Sequence, residues 1–224
     1  MGAGKPPRGF LNGLLLLLLV EITFAVPAVT SAGSAPAPQD AAPSAGAGPR
    51  QVIEQLDDAL LTNMKQAEGL GYAGRYRNLI PVVERIYDFA GIAPLVLGSQ
   101  WAKLGRDQQQ EFIAMLRDYT IATYAARFDG YSGERFTIKS AEPYQSSVML
   151  VSTDFTEANG KTHSLDYLMK PVAGQWRIVN VIADGVSDLA VKKAEFTHVL
   201  EQKGFPGLIA DLKSYVARME RAGK

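Results

Sequence analysis

Between Gln175 and Leu189 the chain reads Gln-Trp-Arg-Ile-Val-Asn-Val-Ile-Ala-Asp-Gly-Val-Ser-Asp-Leu, and this stretch constrains the fold more than any other. Its first half alternates: Trp176, Ile178, Asn180 and Ile182 would point one way, Arg177, Val179, Val181 and Ala183 the other. Aromatic and β-branched residues suit a pleated, packed surface. Both faces of Val179 to Ile182 are mostly apolar, so the strand is expected to be covered on both sides or to line a cavity. Gly185 permits a turn that a Cβ would resist, and Ser187 can cap a following helix.

The same period of two governs everything from Gly133 to this point. Phe136 to Ala141, Ser147 to Phe155, Thr162 to Lys170 and Trp176 to Ala183 read as four strands. Asn159-Gly160 joins the second to the third with a tight-turn signature, and Ala173-Gly174 joins the third to the fourth. Strands consecutive in sequence usually pair, so an antiparallel four-stranded meander follows.

Before and after it the apolar period is helical. Ile53, Leu56, Leu60 and Met64 place a buried stripe on a helix over Arg50 to Glu68, with Glu54, Asp57, Asp58 and Lys65 expected on the other face and Gly69 and Gly71 ending it. A helix is expected to break or start near Pro81, and short helical pieces follow over Ile92 to Leu97, with Pro94 in a first turn, and over Trp101 to Leu104. Asp107 is expected to cap a long helix carrying Phe112, Met115, Leu116, Tyr119, Thr123 and Tyr124, with Gln110 reaching back. Ser187 to Lys203 and a last helix opened by Pro206 close the chain, separated by Gly204. Helices flanking one antiparallel meander define an α+β domain.

The fold is expected to occupy residues 50–224. Lys5 and Arg8, the apolar run Leu11 to Val20 and the small residues around Val29-Thr30-Ser31-Ala32 read as a secretory signal peptide over residues 1–32. Residues 33–49 are almost wholly Ala, Pro, Gly and Ser, a flexible leader that cannot bury enough apolar area to order itself. The chain has no cysteine, hence neither a disulfide framework nor a thiol for lipid attachment. The expected location is the periplasm. Lys plus Arg equals Asp plus Glu at 23 each, and a neutral chain with scattered charge lacks the basic face that a nucleic-acid partner asks for.

Catalytic and metal motifs are missing from the sequence. His163 and His198 have no histidine, cysteine or carboxylate at ligand spacing, and each reads as an ordinary surface or half-buried residue. Tyr131-Ser132-Gly133 and Gly185-Val186-Ser187 lack the Gly-x-Ser-x-Gly frame of a nucleophile elbow. Asp184 reads as a turn-stabilising residue before it reads as an acid or base. No metal or cofactor is implied. The aromatic set Tyr72, Tyr76, Tyr87, Phe89 and Trp101 fits either close-packed core or the wall of a lipid cavity.

Leu97-Gly98-Ser99-Gln100-Trp101, Gln109-Gln110-Glu111-Phe112 with Tyr119, and Leu165-Asp166-Tyr167 followed by Gly174-Gln175-Trp176-Arg177-Ile178 resemble the MlaC / toluene-tolerance family of periplasmic lipid carriers. Gly185-Val186-Ser187, Phe196 and the run from Gly204 to Leu212 complete that likeness. Asn180, Asp184 and Lys192-Lys193 depart from the family, which often has Asp, Glu and Tyr-Arg there. Gly71-Tyr72-Ala73-Gly74-Arg75-Tyr76 and the run from Gly185 to Ala190 look more like the hopanoid-associated HpnM branch.

The resemblance implies an α+β carrier whose helices and sheet enclose an apolar cavity. Its cargo would be phospholipid or a hopanoid-type lipid. Its partners would be an inner-membrane transport complex and an outer-membrane acceptor, with no catalysis. The expected lipid-binding wall combines Val148, Leu150, Tyr167, Met169, Trp176 and Ile178 from the sheet with Tyr87, Phe89, Leu95, Phe112, Met115 and Tyr119 from the helices. The rival expectation is an enzyme on the same scaffold, with Asp184 or Asp166 as base near Tyr167 and a raised pKa.

Overall fold

Four hairpin-linked strands and five helices account for nearly all of the computed structural model, which describes residues 47–223. The expected signal peptide and most of the leader lie outside the described residues. Among the described residues no helix is long and apolar enough to cross a membrane.

The strands are β1 (Arg135–Gln145), β2 (Val148–Thr156), β3 (Thr162–Val172), β4 (Gln175–Ala183) and the two-residue β5 (Val186–Ser187), paired antiparallel in sequence order. β5 is the one strand beyond the expected four. It exists because Asp184 and Gly185 both take positive φ (48° and 82°), the geometry of the tight hairpin turn that folds β5 back onto β4. Ala173 and Gly174 (49° and 76°) make the same kind of turn between β3 and β4. Ser187 then caps the last helix, its Oγ accepting from Ala190 N–H at 3.2 Å.

One irregularity re-aims the organising strand. The register passes from Leu168 opposite Asn180 to Met169 opposite Ile178, so Val179 is an extra residue, a β-bulge. Trp176 and Ile178 therefore share a face with Val181 and Ala183, not with Asn180 and Ile182 as simple alternation predicts. On that face, turned toward the helices, Val151, Phe155, Tyr167, Met169, Ile178 and Ala183 are all buried. Fully burying a side chain of this size contributes about 1.5–3 kcal/mol, so this face and the helices that cover it hold the domain together.

The helices are α1 (Pro49–Lys65), α2 (Ala67–Ile86), α3 (Phe89–Leu97), α4 (Arg106–Arg127) and α5 (Asp188–Ala222), with a 3₁₀ turn over Gly98–Lys103. α1 lies against β1, β2 and β4; α2 and α3 touch β4; α4 packs on α2, α3 and α5. α1 stops at Lys65, earlier than expected, and α2 begins at once but is kinked at Gly71 (φ 56°, ψ −176°). α5 is broken likewise at Gly204 (φ 66°, ψ −177°), a backbone region essentially closed to residues with a Cβ.

Pro81 neither starts nor breaks a helix. Both Pro81 and Arg77, the residue four before it whose carbonyl loses its helical donor, are exposed, so the missing hydrogen bond costs little there. Pro94 falls past the first turn of α3, which opens earlier at Phe89 with Asp88 accepting from Gly91 N–H. α4 likewise is capped two residues before the expected position, by Gly105, whose N–H donates to Gln108 Oε1 at 3.0 Å.

Candidate functional site

Between the inner face of the sheet and the helices lies a cluster of aromatic and hydroxyl-bearing side chains. Tyr87 anchors it. Its backbone bridges to Ile178 on the free edge of β4, where Asp88 N–H donates to Ile178 carbonyl at 3.0 Å. The Tyr87 ring stacks on Phe89 at 5.3 Å, and its hydroxyl shares a 2.6 Å hydrogen bond with Tyr124 of α4. Burial pushes the phenols of Tyr87, Tyr124 and Tyr167 well above the ordinary tyrosine range, so all three stay neutral.

On the far side α4 meets α5 through a second aromatic run. Phe112 lies edge-on to Phe196 at 6.0 Å, Tyr119 edge-on to Phe196 at 6.1 Å, and Tyr119 stacks on Tyr215 at 4.2 Å. Lys192 bonds to Asp188 one turn earlier on α5, and its ammonium sits 5.1 Å over the Tyr119 ring. That ion pair is the charged margin of an otherwise apolar assembly.

The expected wall residues divide. Tyr87, Phe89, Phe112, Met115, Tyr167, Met169 and Ile178 are buried, and Tyr119 and Trp176 are half-buried. Val148 and Leu150 alternate with Met149 and Val151 along β2; since Val151 pairs with Tyr167, those two point from the opposite face of the sheet. Leu95 is 49% exposed on the outer side of α3. These three do not join the others, because strand parity and helix face decide what hydrophobicity alone cannot. A separate groove of about 420 Å³, lined by Gln108, Glu111, Phe205, Pro206, Ile209, Ala210 and Lys213, contains none of the twelve.

Two further groups are buried where the sequence suggests exposed or half-buried positions. Asp57, on the buried face of α1, is 6% exposed, and its Oδ1 has no hydrogen-bond partner. Burial, with Asp58 and Glu54 nearby, pushes its carboxyl up to about 8. Asp57 does not join Glu54, Asp58 and Lys65 on a polar face as expected; standing four residues after Ile53 and three before Leu60, it falls in their buried stripe.

The second group is His163, which is 3% exposed and not a surface residue. Its Nδ1 lies 2.8 Å from Asp184 Oδ2 and its Nε2 2.9 Å from Glu157 Oε1. The hairpin register brings Glu157 beside His163 although six residues separate them, and the β4–β5 turn delivers Asp184. Burial alone would raise the Asp184 carboxyl, but hydrogen bonds from His163 and Ser164 N–H outweigh it and hold the group below the usual carboxylate range.

That result removes the acids named for an enzyme. Asp184 is tied into a turn with a lowered pKa, and Asp166 alternates with Tyr167 and so points from the other face of β3. Among the described residues no group of three or more His, Cys, Asp or Glu side chains could hold a metal ion.

A model of the MlaC protein family matches residues 54–214, most of the described domain. The chain belongs to the MlaC family. Among its relatives, the toluene tolerance protein ttg2D of Pseudomonas putida is 23% identical over 161 residues, covering 70% of this chain and 74% of that one. Among solved structures, the phospholipid-binding protein of Ralstonia solanacearum in complex with a phospholipid aligns with a TM-score of 0.65 at 20% identity, over 77% of this chain and 99% of that one. The α+β architecture of this MlaC-family chain is thus shared across almost the whole of a phospholipid-bound relative in fold.

Proposed function

We propose that this chain is an exported lipid carrier of the periplasm, which moves phospholipid or a hopanoid-type lipid between membrane transport components without chemical catalysis. The observation that carries the reading is that the fold matches 99% of a protein solved with phospholipid bound, and that the family match spans residues 54–214. The neutral, aromatic interior supports it from the physical side.

Two acyl chains of about 15 methylenes each, at ~0.8 kcal/mol per buried CH₂, represent roughly 24 kcal/mol of water avoidance. Spontaneous release into water would therefore be very slow, and loading and unloading take place on membrane partners that compete for the lipid. Zero formal charge suits such traffic, since a basic carrier would adhere to anionic headgroups. The resemblance of Gly71 to Tyr76 and of Gly185 to Ala190 to the hopanoid-associated branch favours a polycyclic cargo.

Enzymatic use of the interior has less support. Asp57 meets the condition of a buried acid with a raised pKa, yet catalysis asks for a second group at hydrogen-bond distance, and Oδ1 has none. Native mass spectrometry of the protein purified gently from the periplasm tests the carrier. One lipid per chain is expected, its mass distinguishing phospholipid from hopanoid; protein that emerges wholly lipid-free would overturn the reading.

A further inference from the structure

Two oxygens in the interior lack partners on facing elements. Asp57 Oδ1 belongs to α1, and Thr153 Oγ1, on a residue 1% exposed, belongs to β2. Thr153 shares its strand parity with Val151 and Phe155, so it points from the helix-covered face. α1 crosses that face: Arg50 Nη2 in its first turn donates to Ile138 carbonyl at 3.4 Å, and Ile138 is paired with Thr153. Two turns further along α1, Asp57 is close enough to Tyr124 and Tyr167 to influence both phenols. Its neighbours along the helix, Ile53, Leu56 and Leu60, are wholly buried and apolar.

A buried polar atom without a partner is costly, and native interiors satisfy nearly all of them. With its carboxyl raised to about 8, Asp57 is mainly a neutral acid at pH 7, with one O–H to donate. No protein group hydrogen-bonds to its Oδ1. Arg75, another buried polar residue, shows the contrast, because its guanidinium is met by three carbonyls.

We propose that Asp57 and Thr153 form a polar subsite in the lipid chamber, which receives an oxygen of the carried lipid, either an ester carbonyl or a hydroxyl. The inference rests on the carrier reading and refines it. The cargo is a lipid with an oxygen function next to its hydrophobic body, and a bare hydrocarbon is excluded. Asp57 donates to that oxygen, and the Thr153 hydroxyl donates to it or accepts from a hydroxyl hydrogen.

Four probes test this on the delipidated mature chain: a diacyl phosphatidylglycerol, its dialkyl ether analogue without carbonyls, a pentacyclic triterpene hydrocarbon and its alcohol. Wild type is expected to bind the diester about tenfold tighter than the diether if the source is an ester, or the alcohol about tenfold tighter than the hydrocarbon if it is a hydroxyl. Asp57→Leu should abolish that preference while leaving the oxygen-poor probe bound as before. Asp57→Asn, which keeps a donor, should retain part of it, and Thr153→Val should weaken it independently should Asp57→Leu fail to fold. Equal affinities of wild type and all three variants for each probe would overturn the subsite and leave the carrier intact. Failure of wild type to take up any of the four would overturn both.

Discussion

At the level of single residues, the burial of Asp57 has a pH signature. Its folded carboxyl titrates near 8, whereas 3.8 is the ordinary value. Between those values the unfolded chain releases its proton and the folded chain does not, so stability falls as pH rises. Each unit of pKa difference is worth about 1.4 kcal/mol, and the whole effect is of that order several times over. Asp57→Asn should flatten the stability curve between pH 5 and 8, measured by urea midpoints, and gain on wild type as pH rises. Asp184 works at the opposite end: its lowered pKa contributes stability above the ordinary carboxylate range that is lost as acid titrates it. Neither role was legible from residue type. Neighbours along the chain do not disclose the burial of His163, because both its carboxylate partners arrive through hairpin turns.

Among the elements, strands were easier to read than helix junctions, and the physics explains why. Period two, interrupted by Asn159-Gly160 and Ala173-Gly174, locates all four long strands because turn chemistry and alternation are local. The bulge at Val179 was invisible, since an inserted residue changes no composition. Helix ends depend on tertiary partners, and Arg75 is the clearest case. Only 2% exposed, it donates from Nε to Ala125 carbonyl at 2.8 Å, from Nη1 to Ala67 carbonyl at 3.2 Å and from Nη2 to Gly223 carbonyl at 3.0 Å. One guanidinium thus closes the start of α2 and the last turns of α4 and α5. Arg75→Met keeps the apolar stem but orphans three carbonyls, at about 1–3 kcal/mol for each one left buried. A loss of at least 3 kcal/mol in equilibrium unfolding is therefore expected, with hydrogen exchange quickening at those helix ends.

For the molecule as a whole, family and architecture are readable from the sequence, whereas the sheet face that each strand residue joins is not. Spaced motifs from Leu97 to Leu212 carry the family, whereas deciding that Leu150 faces away from Tyr167 requires the pairing register. Bound lipid should stabilise the fold by mass action, because it has no site on the unfolded chain. Stripping lipid should thus lower the thermal midpoint by several degrees, restored on reloading; an unchanged midpoint would mean that lipid does not occupy the folded interior.

The two margins of the sheet are finished differently. β4 has Tyr87 and Asp88 laid along its outer side. β1, with no strand paired on that side among the described residues, instead carries Arg135, Lys139 and Glu142 as exposed charges, a proline at Pro143 and two register shifts along its length. A stray polypeptide laid along that rim would meet mismatched spacing, a missing amide hydrogen and desolvated ions. The sheet is thereby spared the hazard of recruiting other chains into an open ladder and growing into fibres.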